Sequence, residues 1–316
     1  VMVNRRKFLL QSSASLIASS LLKSCKSASQ RTSQSIVVGS LLDATGPISI
    51  VGVEMIAATE LAIAEINDAG GLLGRAVTLK QYDTQSDIQK YIQYAQQLIL
   101  RDKVNVLIGG ITSASREAIR PVINKYKMLY FYSIEYEGGV CDKYTFCTGA
   151  TPSGQLDKLF RYMASQFKAK TIYTLAANYN YGQAIAKWTR FYGNKYGMNV
   201  VQEDFLPLDV SDFSTTLSRI QQVKPDMILA IIVGTNQAGF YDQWAAAGLQ
   251  GKIPLTSITF KQPYIRDGSQ QPQWAEVIVS SPYWLEDPSD ANQQFLARFR
   301  QKFGNDKYPS SLAVAQ

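Results

Sequence analysis

The chain has 316 residues, enough for two ordinary α/β lobes that each bury their own core. Its formal net charge is +7, but four of those seven charges (Arg5, Arg6, Lys7 and Lys23) precede Cys25 in a stretch with no acidic residue. The other charges are interspersed without a basic stripe, which argues against nucleic acid as a partner. There is no histidine, which removes the usual general base, the commonest zinc ligand and most serine or cysteine triads; this counts against an enzyme, although carboxylates or lysine remain open to a hydrolase, and no metal or cofactor is expected.

Asn4-Arg5-Arg6-Lys7-Phe8-Leu9-Leu10 opens the chain, a Ser/Ala/Leu run follows from Gln11 to Leu22, and Lys23-Ser24-Cys25 closes it. A charged start, a short weakly apolar stretch and a small residue at the end describe a secretory signal over residues 1–24. The paired arginines before Phe-Leu resemble a twin-arginine signal. Leu22-Lys23-Ser24-Cys25 resembles a lipoprotein processing box, with Lys23 as a departure. Cys25 is therefore the expected lipid site, and residues 25–35, polar from Ser27 to Ser35, suit a tether between an acylated cysteine and a folded domain. The expected location is periplasmic or cell-surface, anchored to a membrane through Cys25. No apolar run reaches the roughly 20 residues that span a bilayer.

From Ile36 onward, short apolar runs alternate with amphipathic stretches. Ile36–Leu42 reads as a strand, Glu54–Ala69 as a helix stopped by Gly70-Gly71, and Val77–Tyr82 as a strand. The helix Ile88–Arg101, the buried strand Val104–Ile108, the helix Ser113–Lys125 and the strand Met128–Tyr132 follow. After Thr151-Pro152 the rhythm repeats, with strands at Thr171–Leu175, Asn199–Phe205, Met227–Val233 and Ile253–Ser257 between helices. About nine strands exceed one compact nucleus, so an α/β fold of two doubly wound parallel-sheet lobes joined by a hinge is expected. Residues 36–152 with 277–316 are assigned to lobe 1, and 153–276 to lobe 2. Cys141 and Cys147, with five residues between them, are expected to close a small disulfide loop in an oxidising compartment, two free thiols being the alternative. No further ligand of suitable type lies near them in sequence to make a metal site.

No dinucleotide fingerprint, phosphate-binding loop or nucleophile elbow is present. In open parallel sheets, ligands bind beyond the C-terminal strand ends, near helix N-termini. Four loops qualify: Gly109-Gly110-Ile111-Thr112-Ser113, Ser133 to Gly138, Asn178 to Gly182, and Gly234-Thr235-Asn236. Ser113 is read there as an N-cap. Tyr132, Tyr136, Tyr179 and Tyr181 offer flat walls with hydroxyls, which suits a small polar solute.

At these loops the chain resembles the type I periplasmic solute-binding proteins of the leucine/isoleucine/valine-binding class, and within it the urea- and short-amide-binding branch. The resemblance runs from about Ile36 to Phe303. It rests most on Ser113-Ala-Ser-Arg116 with Pro121-Val122, Leu129-Tyr-Phe-Tyr132, Tyr136-Glu-Gly138, and Thr148-Gly-Ala150 with Pro152. It implies that Ser113, Tyr132, Tyr136, Tyr179, Tyr181 and Thr235 line an interlobe pocket. It also implies that the closed clamp delivers its solute to the permease subunits of an ABC importer. Ile111 departs from the pattern, since amide binders often carry an aromatic residue there. So does Glu135, whose carboxylate suits a ligand amine and keeps an amino-acid ligand open. A ligand-sensing regulator on the same fold and an amidase are the rival readings. Relatives continue past Gln316 with further parts of lobe 1, so part of that lobe is expected to be missing.

Overall fold

The computed structural model describes residues 34–234, 236–260, 276–305 and 309. The signal, Cys25, most of the tether and Thr235 lie outside the described residues.

The described chain forms two five-stranded parallel sheets. The first has the order β2-β1-β3-β4-β5, from Ile36–Leu42 (β1), Val77–Asp83 (β2), Val106–Gly109 (β3), Tyr130–Tyr132 (β4) and Thr145–Cys147 (β5). The second has the order β10-β9-β8-β6-β7, from Thr171–Ala177 (β6), Asn199–Leu206 (β7), Met227–Ile231 (β8), Leu255–Ser257 (β9) and Ile278–Val279 (β10). The connecting helices are Ser49–Asp68 (α1), Ile88–Leu100 (α2), Ser113–Tyr126 (α3), Pro152–Tyr162 (α4), Asn180–Lys195 (α5), Ser214–Val223 (α6), Gln237–Ala246 (α7) and Asp290–Phe303 (α8).

The second sheet explains why its inner strands read as largely apolar runs. Tyr173, Leu175, Ile228 and Ala230 enter the core on one face, and Ile172, Ala176, Met227, Leu229 and Ile231 the core on the other. With helices over both faces, β6, β8 and β9 are buried almost throughout and lack the polar alternation of a half-exposed strand, while the edge strand β7 exposes Asn199 and Val201. Helix starts are set locally. Asp87 caps α2 by accepting from the Gln89 and Lys90 amides (2.7 and 3.3 Å).

Four expectations shift. Helix α1 begins at Ser49, five residues before the expected Glu54, because Ile48 and Val51 are buried and Ile50 packs against the cores of both lobes. β5 is an additional strand. β10 pairs with β9, so the end of lobe 2 extends past Glu276 to at least Val279, and the return to lobe 1 comes with α8. There Phe299 packs on Ala57 and Leu61 of α1, and Arg298 pairs with Glu65 at 2.6 Å. The expected disulfide is not formed: Cys141 and Cys147 are free thiols. Asp142, pinned to α3 by Arg120 (3.1 Å) and Asn124 (2.8 Å), holds the chain beside the exposed Cys141, while Cys147 runs on in extended backbone opposite Tyr132.

Among the described residues, the lobes are joined through 148–151 and 280–289. Gln155, buried at the start of α4, ties the helix that follows the first connection to the second connection. Its side-chain amide donates to the Ser280 carbonyl (3.2 Å), and its own carbonyl accepts from the Ser280 hydroxyl (3.0 Å).

Asp226 fastens the start of the second sheet by accepting from the Lys170 and Thr171 amides (2.7 and 2.9 Å). Partial burial works against its charge, but these hydrogen bonds outweigh it and hold the carboxyl below its ordinary value. The folded pKa is depressed, so the contribution to stability is present above the unfolded value near 3.8 and is lost as pH falls through the folded one. Asp226→Asn is expected to lower the urea midpoint at pH 7 and to flatten its fall between pH 5 and 3; an unchanged pH profile would count against this role.

Candidate functional site

The C-terminal ends of both sheets face a cleft between the lobes. On the lobe 1 side, β3 leads through Gly109 and Gly110 into α3. Gly109 has φ +117°, and a Cβ there would lie 2.3 Å from the Leu41 carbonyl oxygen, so only glycine lets the loop pass this close to β1. Thr112, not Ser113, caps α3. Its hydroxyl accepts from the Ser115 amide (3.0 Å), while Ser115 Oγ donates to the Thr112 carbonyl (2.8 Å) and accepts from the Ile111 amide (3.2 Å). Two tyrosines of β4 clamp the same loop: Tyr130 donates to the Gly109 carbonyl (2.9 Å) and Tyr132 to the Ile111 carbonyl (2.8 Å).

This bracing leaves Ser113 in the first turn of α3, only 1% exposed, with no hydrogen-bond partner for its hydroxyl. A buried hydroxyl without a partner carries a desolvation cost that a ligand can relieve.

Ser113 opens on a cavity of ≈ 50 Å³ that both lobes build. Lobe 1 contributes Ile48, Val51, Ile111, Ser113, Tyr132, Ile134 and Glu135, and lobe 2 contributes Tyr179, Tyr181, Val233 and Thr259. Ile111, Ser113, Tyr132, Glu135, Tyr179 and Tyr181 are thus brought together. Thr112 lines an adjoining cavity instead. Tyr136 lines neither cavity and packs against the lobe 1 core, its ring 5.9 Å from the Arg116 guanidinium. Ile48, Val51, Ile134, Val233 and Thr259 were missed. The signal that would have found the first two is that the loop after β1 also ends at the cleft, but the late start assigned to α1 hid it.

Burial pushes the Tyr132 and Tyr181 phenols well above their ordinary values, so both stay neutral hydrogen-bonding groups. Tyr179 and Tyr181 stack at 6.2 Å between centroids. Beneath the cavity, Arg116 is 1% exposed, lies 4.9 Å from the Tyr132 ring centre and pairs with Glu137 at 2.5 Å. Burial opposes the guanidinium's charge, but the Glu137 hydrogen bond outweighs it, and Arg116 stays above the ordinary arginine value. The Trp188 indole of α5 donates to the Glu137 carbonyl (2.9 Å), so the two lobes are in hydrogen-bonded contact across the cleft.

The arrangement presents one unengaged hydroxyl, one carboxylate, phenols and an aliphatic wall to a cavity between the two lobes. Among the described residues, no cluster of metal-ligating side chains occurs, and no helix is long and apolar enough to cross a membrane.

A family model described as periplasmic binding protein matches residues 35–316. The chain is similar to the Leu/Ile/Val/Thr-binding protein of Salmonella typhimurium, 24% identical over 195 residues (61% of this chain, 52% of that protein). It is also similar to the Leu/Ile/Val-binding protein of Escherichia coli, 23% identical over 195 residues with the same coverage. The chain thus spans about half the length of these curated relatives. Among solved structures, it resembles an ABC-transporter solute-binding protein of Rhodopseudomonas palustris in complex with 3,4-dihydroxybenzoic acid. That match has a TM-score of 0.78 at 23% identity and covers 89% of this chain and 77% of the other. A branched-chain amino-acid transporter substrate-binding protein of Streptococcus pneumoniae, in complex with isoleucine, has a TM-score of 0.74 at 20% identity and covers 89% and 80%. These matches bear out the expected two-sheet α/β fold, and the relatives and neighbours named here are binding proteins.

Proposed function

Because this chain belongs to the periplasmic binding protein family, we propose that it is the solute-binding component of an ABC importer, exported, tethered at Cys25 and closing on a small solute between its lobes. The observation that carries the reading is the buried, unengaged Ser113 hydroxyl facing a cavity walled by both lobes. A solute that touches both lobes favours the closed state and shifts the population toward it, and the closed form is what a permease recognises. No covalent step is needed.

The solute we assign is a short aliphatic amino acid. Its carboxylate takes the Ser113 hydroxyl and sits at the positive N-terminus of α3. Glu135 receives its ammonium, and Ile48, Val51, Ile111 and Ile134 cover its side chain. A second reading, urea or a short amide, is favoured by the small volume of ≈ 50 Å³ and by the Tyr136-Glu137-Gly138 motif.

Calorimetry with alanine, valine, leucine, urea and acetamide separates the two. One-to-one binding of valine or leucine without a response to urea is expected. Binding of urea or acetamide alone would move the assignment to the second reading, and turnover of any solute would sink both. Ser113→Ala is expected to weaken binding by about 1.5–3 kcal/mol, tenfold or more, through loss of a hydrogen bond to a charged group. The thermal midpoint without solute should not fall, because the removed hydroxyl has no partner to lose. A drop in midpoint with unchanged affinity would assign Ser113 to the scaffold.

A further inference from the structure

The opposite end of lobe 2, where its strands begin, carries a cavity of its own. Its volume is ≈ 360 Å³, and Phe167, Ile253, Pro254, Leu255, Val277 and Ile278 wall it, with Trp244 among its lining residues. None of these residues lines either cavity of the cleft. The volume falls in the range of ordinary small-molecule sites, which begin near roughly 300 Å³. The chain builds the cavity from neighbouring segments. Ile253 to Leu255 lead into β9 and Val277-Ile278 into β10, and the two strands pair in parallel, so their starts lie side by side. Trp244 stands in the last turn of α7, the helix between β8 and β9.

Trp244 is 1% exposed, and its indole nitrogen has no hydrogen-bond partner. A buried tryptophan N–H usually finds an acceptor, and one that has given up water without gaining a partner carries a cost that an acceptor relieves. The side chains of the six wall residues hold no acceptor. The charges around the cavity disfavour an anion as the missing partner. Glu276 is an exposed carboxylate that also lines the cavity. The negative end of the α7 dipole falls at the same place. Lys224 and Lys252 line a wider cavity beside this one, not this one itself.

We propose that this cavity is a second binding site, separate from the solute cleft, for a small uncharged molecule with an apolar ring and one hydrogen-bond acceptor. The apolar walls cover the ring, and the Trp244 indole N–H donates to the acceptor. A neutral hydrogen bond of this kind is equivalent to roughly a twofold to tenfold gain in affinity. The site is independent of the solute assigned to the cleft.

The test is a titration of the full chain, labelled with nitrogen-15 at its tryptophans, followed by the indole N–H resonances. The Trp244 resonance is identified by its loss in Trp244→Phe. The Trp188 resonance, identified in the same way, reports the cleft, because that indole donates to Glu137 of the other lobe. Three probes of similar size are compared: acetophenone, with a ring and a carbonyl; toluene, with the ring alone; and benzoate, with a charge. Acetophenone is expected to move the Trp244 resonance downfield and to saturate. Toluene and benzoate are expected to move it less and to bind at least threefold more weakly. Val277→Phe fills the cavity and is expected to weaken the acetophenone effect at Trp244 at least tenfold, while any shift at Trp188 survives. If Val277→Phe does not fold, Ile253→Phe fills the same space from the other strand and is expected to give the same result. No movement of the Trp244 resonance up to the solubility of acetophenone overturns the site, as does an effect that both filling variants leave intact. Equal shifts with toluene overturn the role of the indole N–H, and tighter binding of benzoate overturns an uncharged ligand. Movement at Trp188 alone assigns the probe to the cleft and overturns the proposal.

Discussion

Arg116→Met is expected to cost about 3–5 kcal/mol of folding stability, the largest loss of any single substitution considered for this protein. The guanidinium is 1% exposed, and its partner Glu137 is itself mostly buried at 2.5 Å, with Glu117 at 3.0 Å on the other side. Methionine of similar length leaves the Glu137 carboxylate desolvated and unpaired, which is where the cost arises. It also removes the cation beneath the Tyr132 ring, 4.9 Å away, and Tyr132 lines the interlobe cavity proposed to take the solute. Affinity should therefore fall together with stability. Urea unfolding followed by circular dichroism checks the first, and calorimetry the second. Replacing both partners, Arg116→Met with Glu137→Met, is expected to recover most of the stability, because apolar groups of matched size remove the unpaired charge. A single variant within about 1 kcal/mol of wild type would mean that water reaches the pair and that its burial in the structure overstates its weight.

Gly182→Ala is expected to lower stability by about 1–3 kcal/mol and to weaken solute binding at least as much as Ser113→Ala. The reason is space rather than backbone dihedral. Gly182 sits in the first turn of α5, where an added Cβ would lie 1.9 Å from the Ala177 carbonyl oxygen at the end of β6. Neither atom is a flexible side-chain end, so the turn itself must move. Tyr179 and Tyr181 stand just before it and wall the cavity from lobe 2, so the displacement reaches the site directly. Gly239→Ala in α7 is the matched control. A Cβ there meets nothing within 4 Å, and the change is expected to be neutral or stabilising by about 0.4–1 kcal/mol. Thermal unfolding of the two variants side by side decides the point; equal midpoints would show that the α5 turn yields without strain.

Much of the architecture was legible before the structure. The run Met227–Ile231 is apolar at every position because both faces of its sheet are covered, and a run of that kind between amphipathic helices has few homes outside a parallel sheet. The loop Gly109 to Ser113 was legible as a ligand-facing turn because paired glycines followed by hydroxyl residues mark a strand that ends where a helix begins. Finer points were not. Thr112 and Ser113 are adjacent hydroxyl residues, and only the backbone dihedrals around them decide which one caps the helix and which is left without a partner. Tyr136 looked like a cleft residue by its place after β4, yet it packs beside Arg116.

The sequence by itself determined the class of fold, the positions of most elements and four of the loops that face the cleft, since these follow from apolar periodicity and glycine placement along the chain. Only the tertiary structure decided that Ile48 and Val51 wall the cavity, that β10 belongs to the second sheet, that Cys141 and Cys147 stand apart as thiols, and that a second cavity adjoins the first. The physical reason is the same in each case. A local pattern records that a side chain is withdrawn from water, but which neighbour withdraws it is set by segments far along the chain. The chemistry of the cleft is made of such long-range neighbours.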